Sequence, residues 1–257
     1  MRIVIKIGTS TLAHPTGNIN IRRVETICRV ISDIKNAGND VIIVSSGAIG
    51  MGIGKLGLTE RPTDIPTKQA TAAVGQCELM YFYDKLFSEY NHTVAQLLIT
   101  GADVDSEKHR TNFTNTLNRL LQLGAIPIIN ENDTVATDEI VIGDNDTLGA
   151  IVSKSVDADL LIILSDVDGL YDGHPKTDPN AKLIPVVTEI NESIMSLARG
   201  SGSSLGTGGM ITKLGAAKIC LEAGCDMVIA SGNDPERLYD IVEGKPVGTR
   251  FTVNGNV

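Results

Sequence analysis

The chain has 257 residues, 42% of them hydrophobic and 21% charged, with a formal net charge of −9. That is the balance of an ordinary globular protein, long enough for one large α/β domain or two lobes sharing a sheet. The acidic surplus excludes the basic face that nucleic acid or an anionic membrane requires, so a bound anion must rely on local lysines and backbone amides.

In chain order, β-branched runs alternate with longer helical patterns. Strands are expected over 2–7, 41–45, 94–99, 126–129, 160–164 and 227–230, and helices over 21–37, 67–90, 111–123, 147–156, 191–198 and 212–223. Each strand run is almost wholly apolar, as in strands buried on both faces of a mainly parallel sheet. Gly38, Gly124 and Gly224 each follow a helical stretch, where a left-handed C′ residue fits. The pattern predicts a three-layer α/β/α sandwich with a mainly parallel central sheet and right-handed crossovers. Without an internal repeat or a Pro/Ser-rich linker, 1–257 reads as a single domain, with a functional division near Val156. The stretch 172–185, with Pro175, Pro179 and Pro185, reads as a surface hairpin or loop.

No CxxC spacing or histidine cluster accompanies Cys28, Cys77, Cys220 and Cys225, so a zinc site is not expected and the thiols read as reduced. No apolar run approaches the about 18 residues of a membrane span. The chain opens on a strand pattern rather than a leader, which points to the cytoplasm. Trp is absent and Phe and Tyr are few, so stacking platforms for single strands are not expected either.

Four polar clusters fall at or just past the carboxyl end of an expected strand: Lys6, Ser45–Ser46, Asn130–Asp133 and Ser165–Asp166. That edge of an open parallel sheet is where ligands bind. Lys6 lies inside an apolar strand and needs an anion or carboxylate unless it snorkels from an edge. Gly8 beside it would let a phosphate approach the backbone. Ser45-Ser46-Gly47-Ala48-Ile49-Gly50 is a strand-to-glycine turn able to present amides and a hydroxyl to a carboxylate, but it is not a nucleophile elbow. Asn130–Asp133 and Gly143-Asp144-Asn145-Asp146 suit a ligand ammonium and carboxylate. Asp146 reads either as a hydrogen-bond acceptor for a lysine or as an ordinary N-cap. Asp166 could meet a ribose hydroxyl or a magnesium shell, while Leu170 and Tyr171 could flank a base. Ser204-Leu-Gly-Thr-Gly-Gly-Met-Ile-Thr-Lys213 feeds a helix N-terminus, an anion-favouring place, with Lys213 in reach of a phosphate. It is not a Walker A loop. Two lysines, a glycine-rich amide cradle and flanking polar pockets are equipment for phosphoryl transfer. No base accompanies them, and a carboxylate acceptor, already ionised near neutral pH, needs none.

Lys6-Ile-Gly-Thr-Ser10, Ser45-Ser-Gly-Ala-Ile49, Asn130-Glu-Asn-Asp133, Gly143-Asp-Asn-Asp146, Ser165-Asp166 and Gly206-Thr-Gly-Gly-Met-Ile-Thr-Lys213 together resemble the glutamate 5-kinase branch of the amino acid kinase superfamily. The resemblance spans residues 1 to about 255. Aspartokinases and acetylglutamate kinases usually carry a double glycine in the first motif, whereas this chain has one. The resemblance implies the amino acid kinase fold, with a glutamate-binding lobe to about residue 156 and a nucleotide-binding lobe beyond. It implies that Lys6 and Lys213 stabilise the transferring phosphoryl group and that Asp146 orients them. Ser46, Gly47, Ala48, Asp133 and Asn145 would hold glutamate. Gly8, Ser165, Asp166, Thr207, Gly208, Gly209, Met210, Ile211 and Thr212, with Lys6 and Lys213, would bind ATP. Mg²⁺ is implied as a requirement without a protein ligand for it, proline as a feedback inhibitor, and a dimer or tetramer as the assembly. Glutamyl phosphate reductase is a possible partner. Many bacterial members carry a further C-terminal domain, which this sequence, ending at Val257, does not show. A sister carboxylate or carbamate kinase such as acetylglutamate kinase, and a catalytically silent nucleotide-binding regulator, stay open as alternatives.

Overall fold

A computed structural model of the chain describes residues 1–14, 16–135, 144–173, 175, 177–198 and 209–253. The strands are β1 Arg2–Ile7, β2 Asp40–Ser45, β3 Val94–Ile99, β4 Ile126–Glu131, β5 Leu160–Ser165, β6 Val186–Val187, β7 Asp226–Ser231 and β8 Thr249–Phe251. They form one sheet in the order β3-β4-β2-β1-β5-β7-β8-β6, parallel throughout except for the β7–β8 pair. The helices are α1 Thr9–Leu12, α2 Ile21–Asn36, α3 Ala48–Leu56, α4 Ile65–Ser88, α5 Gly101–Asp105, α6 Glu107–Gln122, α7 Asn145–Ser155, α8 Glu192–Ala198, α9 Met210–Glu222 and α10 Arg237–Val242.

All six expected strands are present. β6 and β8, two and three residues long, are too short to leave a pattern. β3 departs from the expectation of burial on both faces. It is an edge strand, mostly half-buried and exposed at Gln96. The six expected helices are also present, α7 beginning two residues earlier than expected and α6 four. Gly38, Gly124 and Gly224 take φ of 93°, 78° and 73°, each just past a helix C-cap as expected. The two ends of the expected hairpin or loop do pair, Asp172 N–H donating to Lys182 O and Ile184 N–H to Leu170 O.

The helix α3 was not expected, because Gly50, Gly52 and Gly54 weaken a helix pattern. Its glycines serve packing instead. A Cβ on Gly52 would lie 1.9 Å from Thr71 O, and one on Gly75 of α4 would lie 1.7 Å from Ala48 O. The two helices therefore touch backbone to backbone.

Strand alternation builds two cores. Ile3, Ile5 and Ile7 of β1 join Ile43, Ile162, the α2 residues Ile27 and Ile31, and Tyr83 of α4 on one face. Val4 joins Val44, Leu161, Ile163, Leu148 of α7 and Leu214 of α9 on the other. Each fully buried aliphatic side chain contributes about 1.5–3 kcal/mol. The period of two then puts Lys6 on the Val4 face, beneath α7 and α9. A charge has been spent in a position where an aliphatic residue would stabilise more.

Candidate active site

The polar clusters converge where the strand order changes direction. β1 is central, with β2 on one side and β5 on the other, and Lys6 stands opposite Val44 and Ile163. Ser45 and Ser165 end β2 and β5, and Asn130 and Glu131 end β4. This is the crevice in which parallel sheets hold ligands.

At its floor, Lys6 Nζ lies 2.6 Å from Asp146 Oδ1 and Lys213 Nζ 2.9 Å from Asp146 Oδ2. Thr212 Oγ1 adds a donor to Oδ2 at 3.4 Å. The Asp146 side chain is 0% exposed and the lysines 8% and 5%. Burial pushes the Asp146 carboxyl up, but the ammonium groups of Lys6 and Lys213 more than offset it and hold its pKa at about 2. The N-cap alternative for Asp146 is overturned. Asp144 takes that position without a side-chain cap bond, and Asp146 lies one turn-step inside α7, where its side chain reaches under the sheet edge.

Beside this triad is a cavity of about 190 Å³. Its walls include Thr9, Ser46 and the first turn of α3 from Gly47 to Gly50, whose N–H groups have no acceptor within the helix. Gly47 adopts φ 99°, a left-handed turn that suits glycine and swings the chain from β2 into α3. The lining also includes Glu131, Asp133, Asp144 and Asn145. Burial pushes all three carboxyls up, with Asp133 adding to the effect on Glu131 and Asp146 to that on Asp144. Carboxylates destabilised in this way favour a ligand that brings a cation.

An amide chain fixes Asn145. Its Nδ2 lies within hydrogen-bonding distance of Ser45 O, Ser46 Oγ and Asn130 Oδ1, and its Oδ1 is buried and without a partner among the described residues. Asn130 Oδ1 also accepts from Glu131 N–H, and Asn130 Nδ2 donates to Gln76 Oε1 at 2.8 Å. Ser45 Oγ is 3.0 Å from the buried Tyr83 hydroxyl. Gln76 and Tyr83 were missed as site residues. Their signal was available: Gln76 repeats at helical spacing with Ala72, Leu79 and Tyr83, a polar residue on a buried face.

On the other flank, a Cβ on Gly8 would lie 3.3 Å from Leu164 O and 3.7 Å from Lys6 Nζ, so the glycine leaves the ammonium approachable. Gly209 caps α9 without a side-chain bond, and Met210, Ile211, Thr212 and Lys213 form the helix start. Ser165 Oγ donates to the exposed Asp166 at 3.0 Å. Thr207 and Gly208 lie outside the described residues, as does Gly143. Leu170 is corrected: it is 2% exposed within the core and cannot flank a base. The Tyr171 hydroxyl instead donates to Asp168 Oδ2.

Two buried lysines tied to one carboxylate, a helix start with unpaired amides and a small acidic cavity at the switch point of an α/β sheet are what a small-molecule phosphotransferase needs. The chain belongs to the amino acid kinase family, whose sequence model matches residues 1–231. It is 52% identical over 254 residues to a protein of Clostridium perfringens named glutamate 5-kinase, covering 97% of this chain and 94% of that one. A Clostridium acetobutylicum protein of the same name is 54% identical over 250 residues, again covering 97% and 94%. Among solved structures, UMP kinase from Bacillus anthracis superposes with a TM-score of 0.68 at 17% identity, over 100% of this chain and 97% of that one. The isopentenyl phosphate kinase of T. acidophilum gives 0.65 at 18%, over 98% and 100%. These two show the shared fold.

Proposed function

We infer that this chain transfers the γ-phosphoryl group of ATP to the γ-carboxylate of L-glutamate, giving L-glutamyl 5-phosphate and ADP, the first step toward proline. The observation that carries the reading is the Lys6–Asp146–Lys213 triad at the edge of an acidic, amide-lined cavity. Lys6 and Lys213 face the phosphoryl group as its charge spreads in the transition state, and Asp146 holds both ammonium groups in place beforehand, so little reorganisation is needed. The reacting carboxylate is already anionic and requires no base. Asp133 and Asn145 Oδ1 accept from the substrate ammonium, while Ser46, Gly47 and Ala48 donate to a substrate carboxylate. Gly8, Ser165, Asp166, Gly209 and the α9 start, with Thr207 and Gly208, take the nucleotide. Residues to about 156 form the glutamate lobe and those beyond it the nucleotide lobe.

Mg²⁺ is usually held by substrate phosphates with one or two carboxylates. Among the described residues no group of three His, Cys, Asp or Glu could cage a metal, but Asp144 Oδ2 is buried without a partner and fits a single contact to a nucleotide-borne ion. When bound, the ion neutralises phosphate charge. Feedback by proline, a dimer or tetramer, a reductase partner and a cytoplasmic location belong to the same proposal and rest on the family resemblance. Among the described residues no helix is long and apolar enough to cross a membrane.

Acyl phosphate trapped with hydroxylamine during Mg·ATP turnover tests the reading, across glutamate, aspartate, N-acetylglutamate and carbamate. Hydroxamate with glutamate alone is expected. The raised carboxyls of the cavity favour a free ammonium over an acylated amine, so turnover of N-acetylglutamate instead would overturn the acceptor assignment. ATP binding without ADP release for any acceptor would leave a regulator.

A further inference from the structure

We propose that Arg61, on the connection between α3 and α4, binds the α-carboxylate of the amino-acid substrate and makes the site select for that group. The proposal rests on the glutamate reading above and deepens it. Among the described residues lining the cavity, Arg61 is the one Lys, Arg or His. The same lining carries Glu131, Asp133 and Asp144, a surrounding hostile to any further carboxylate. Glutamate brings two. The γ-carboxylate belongs beside Lys6 and Lys213, and the ammonium beside Asp133. The α-carboxylate is then left in an acidic chamber, with the amides of α3 and the Arg61 guanidinium as its donors. A planar guanidinium matches a carboxylate with two parallel hydrogen bonds.

The guanidinium is available for this. Arg61 is exposed, and among the described residues it has neither an ion pair nor a side-chain hydrogen bond. Its backbone is tethered at both ends. Gly57 closes α3 at φ 65°, and Asp64 caps α4 by accepting from Thr67 N–H at 2.9 Å. Pro62 follows Arg61 directly and disfavours helical backbone at residue 61. The close contacts of Gly52 with Thr71 and Gly75 with Ala48 lock the two flanking helices together. The arginine thus projects from a short, anchored connection at the cavity rim.

The test pairs variants with substrates. 4-Aminobutyrate carries the reacting carboxylate and the amine of glutamate but lacks the α-carboxylate. Hydroxamate formation gives kcat/KM for both compounds with the wild type, Arg61→Gln and Arg61→Lys. Where 4-aminobutyrate turns over too slowly, its inhibition constant against glutamate takes the place of kcat/KM. Loss of a charge-assisted pair at Arg61→Gln is expected to lower kcat/KM for glutamate roughly 10- to 100-fold. The constant for 4-aminobutyrate, the KM for ATP and the melting temperature are expected to stay unchanged. Arg61→Lys should recover part of the loss. An equal fall for both compounds, or no change for glutamate, overturns the assignment alone. No hydroxamate from wild type with glutamate overturns the reaction and this assignment with it.

Discussion

Replacing Asp146 with Asn keeps the shape of the side chain and removes the charge from between Lys6 Nζ, at 2.6 Å, and Lys213 Nζ, at 2.9 Å. Two buried ammonium groups then face each other without a counter-ion. Breaking a buried pair by deleting one partner costs about 3–5 kcal/mol. At about 2–4 °C per kcal/mol for a chain of this size, the melting temperature should fall by roughly 6–20 °C. The pH dependence adds a second readout. Burial raises the Asp146 carboxyl and the two lysines lower it further, to about 2 from 3.8. A depressed folded-state pKa gives stability that is present above the unfolded value and is lost as pH falls through the folded one. The gap between wild type and Asp146→Asn should thus be constant from about pH 5 upward and narrow below about pH 4. Activity by the hydroxamate assay should drop at least about 100-fold, because the proposed approach of the lysines to the phosphoryl group depends on their being held by Asp146. Melting within about 2 °C of wild type, together with near-normal turnover, would refute the reasoning.

On the proposed role of its ammonium in the transition state, Lys213→Ala should depress kcat far more than it raises the KM for ATP; an unchanged kcat removes it from that role. Asp133→Ala should raise the KM for glutamate, and a change confined to the KM for ATP would mean the pockets are assigned to the wrong sides. Gly75→Ala would drive a Cβ to 1.7 Å from Ala48 O and should cost about 1–3 kcal/mol or more. It should also raise the KM for glutamate, because Ala48 lines the cavity. Gly215→Ala, at a point of α9 where a Cβ meets nothing within 4 Å, should instead stabilise by about 0.5–1 kcal/mol. Thermal melting of the two glycine variants side by side checks both.

Much of this was legible in the residues. A lysine in an apolar strand demanded an anion, and Lys6 has one in Asp146. The carboxylate that answers it was harder to single out, because α7 begins two residues before its apolar pattern does, which turns an apparent cap into a first-turn side chain. Helix α3 was hidden by the glycines that permit its contact with α4; their reason lies in another element, which local propensity cannot register. Arg61 gave no signal beyond being a loop arginine, since its place at the cavity depends on how two helices dock. Gln76 stood on a buried helical face, a readable anomaly, but its partner Asn130 is 54 residues away.

The position of β1 also bears on how the chain is made. The strand at the centre of the sheet is the first in sequence, paired with β2 on one edge and with β5 on the other. During synthesis its second edge stays open from the completion of β2 at Ser45 until β5 has emerged at Ser165. At roughly 5–20 residues per second that interval lasts about 6–24 s. An exposed edge of isoleucine and valine invites pairing with other nascent chains, and a charge on such a strand is what discourages it. β1 carries two such charges, Arg2 and Lys6, and the one buried in the finished sheet is Lys6.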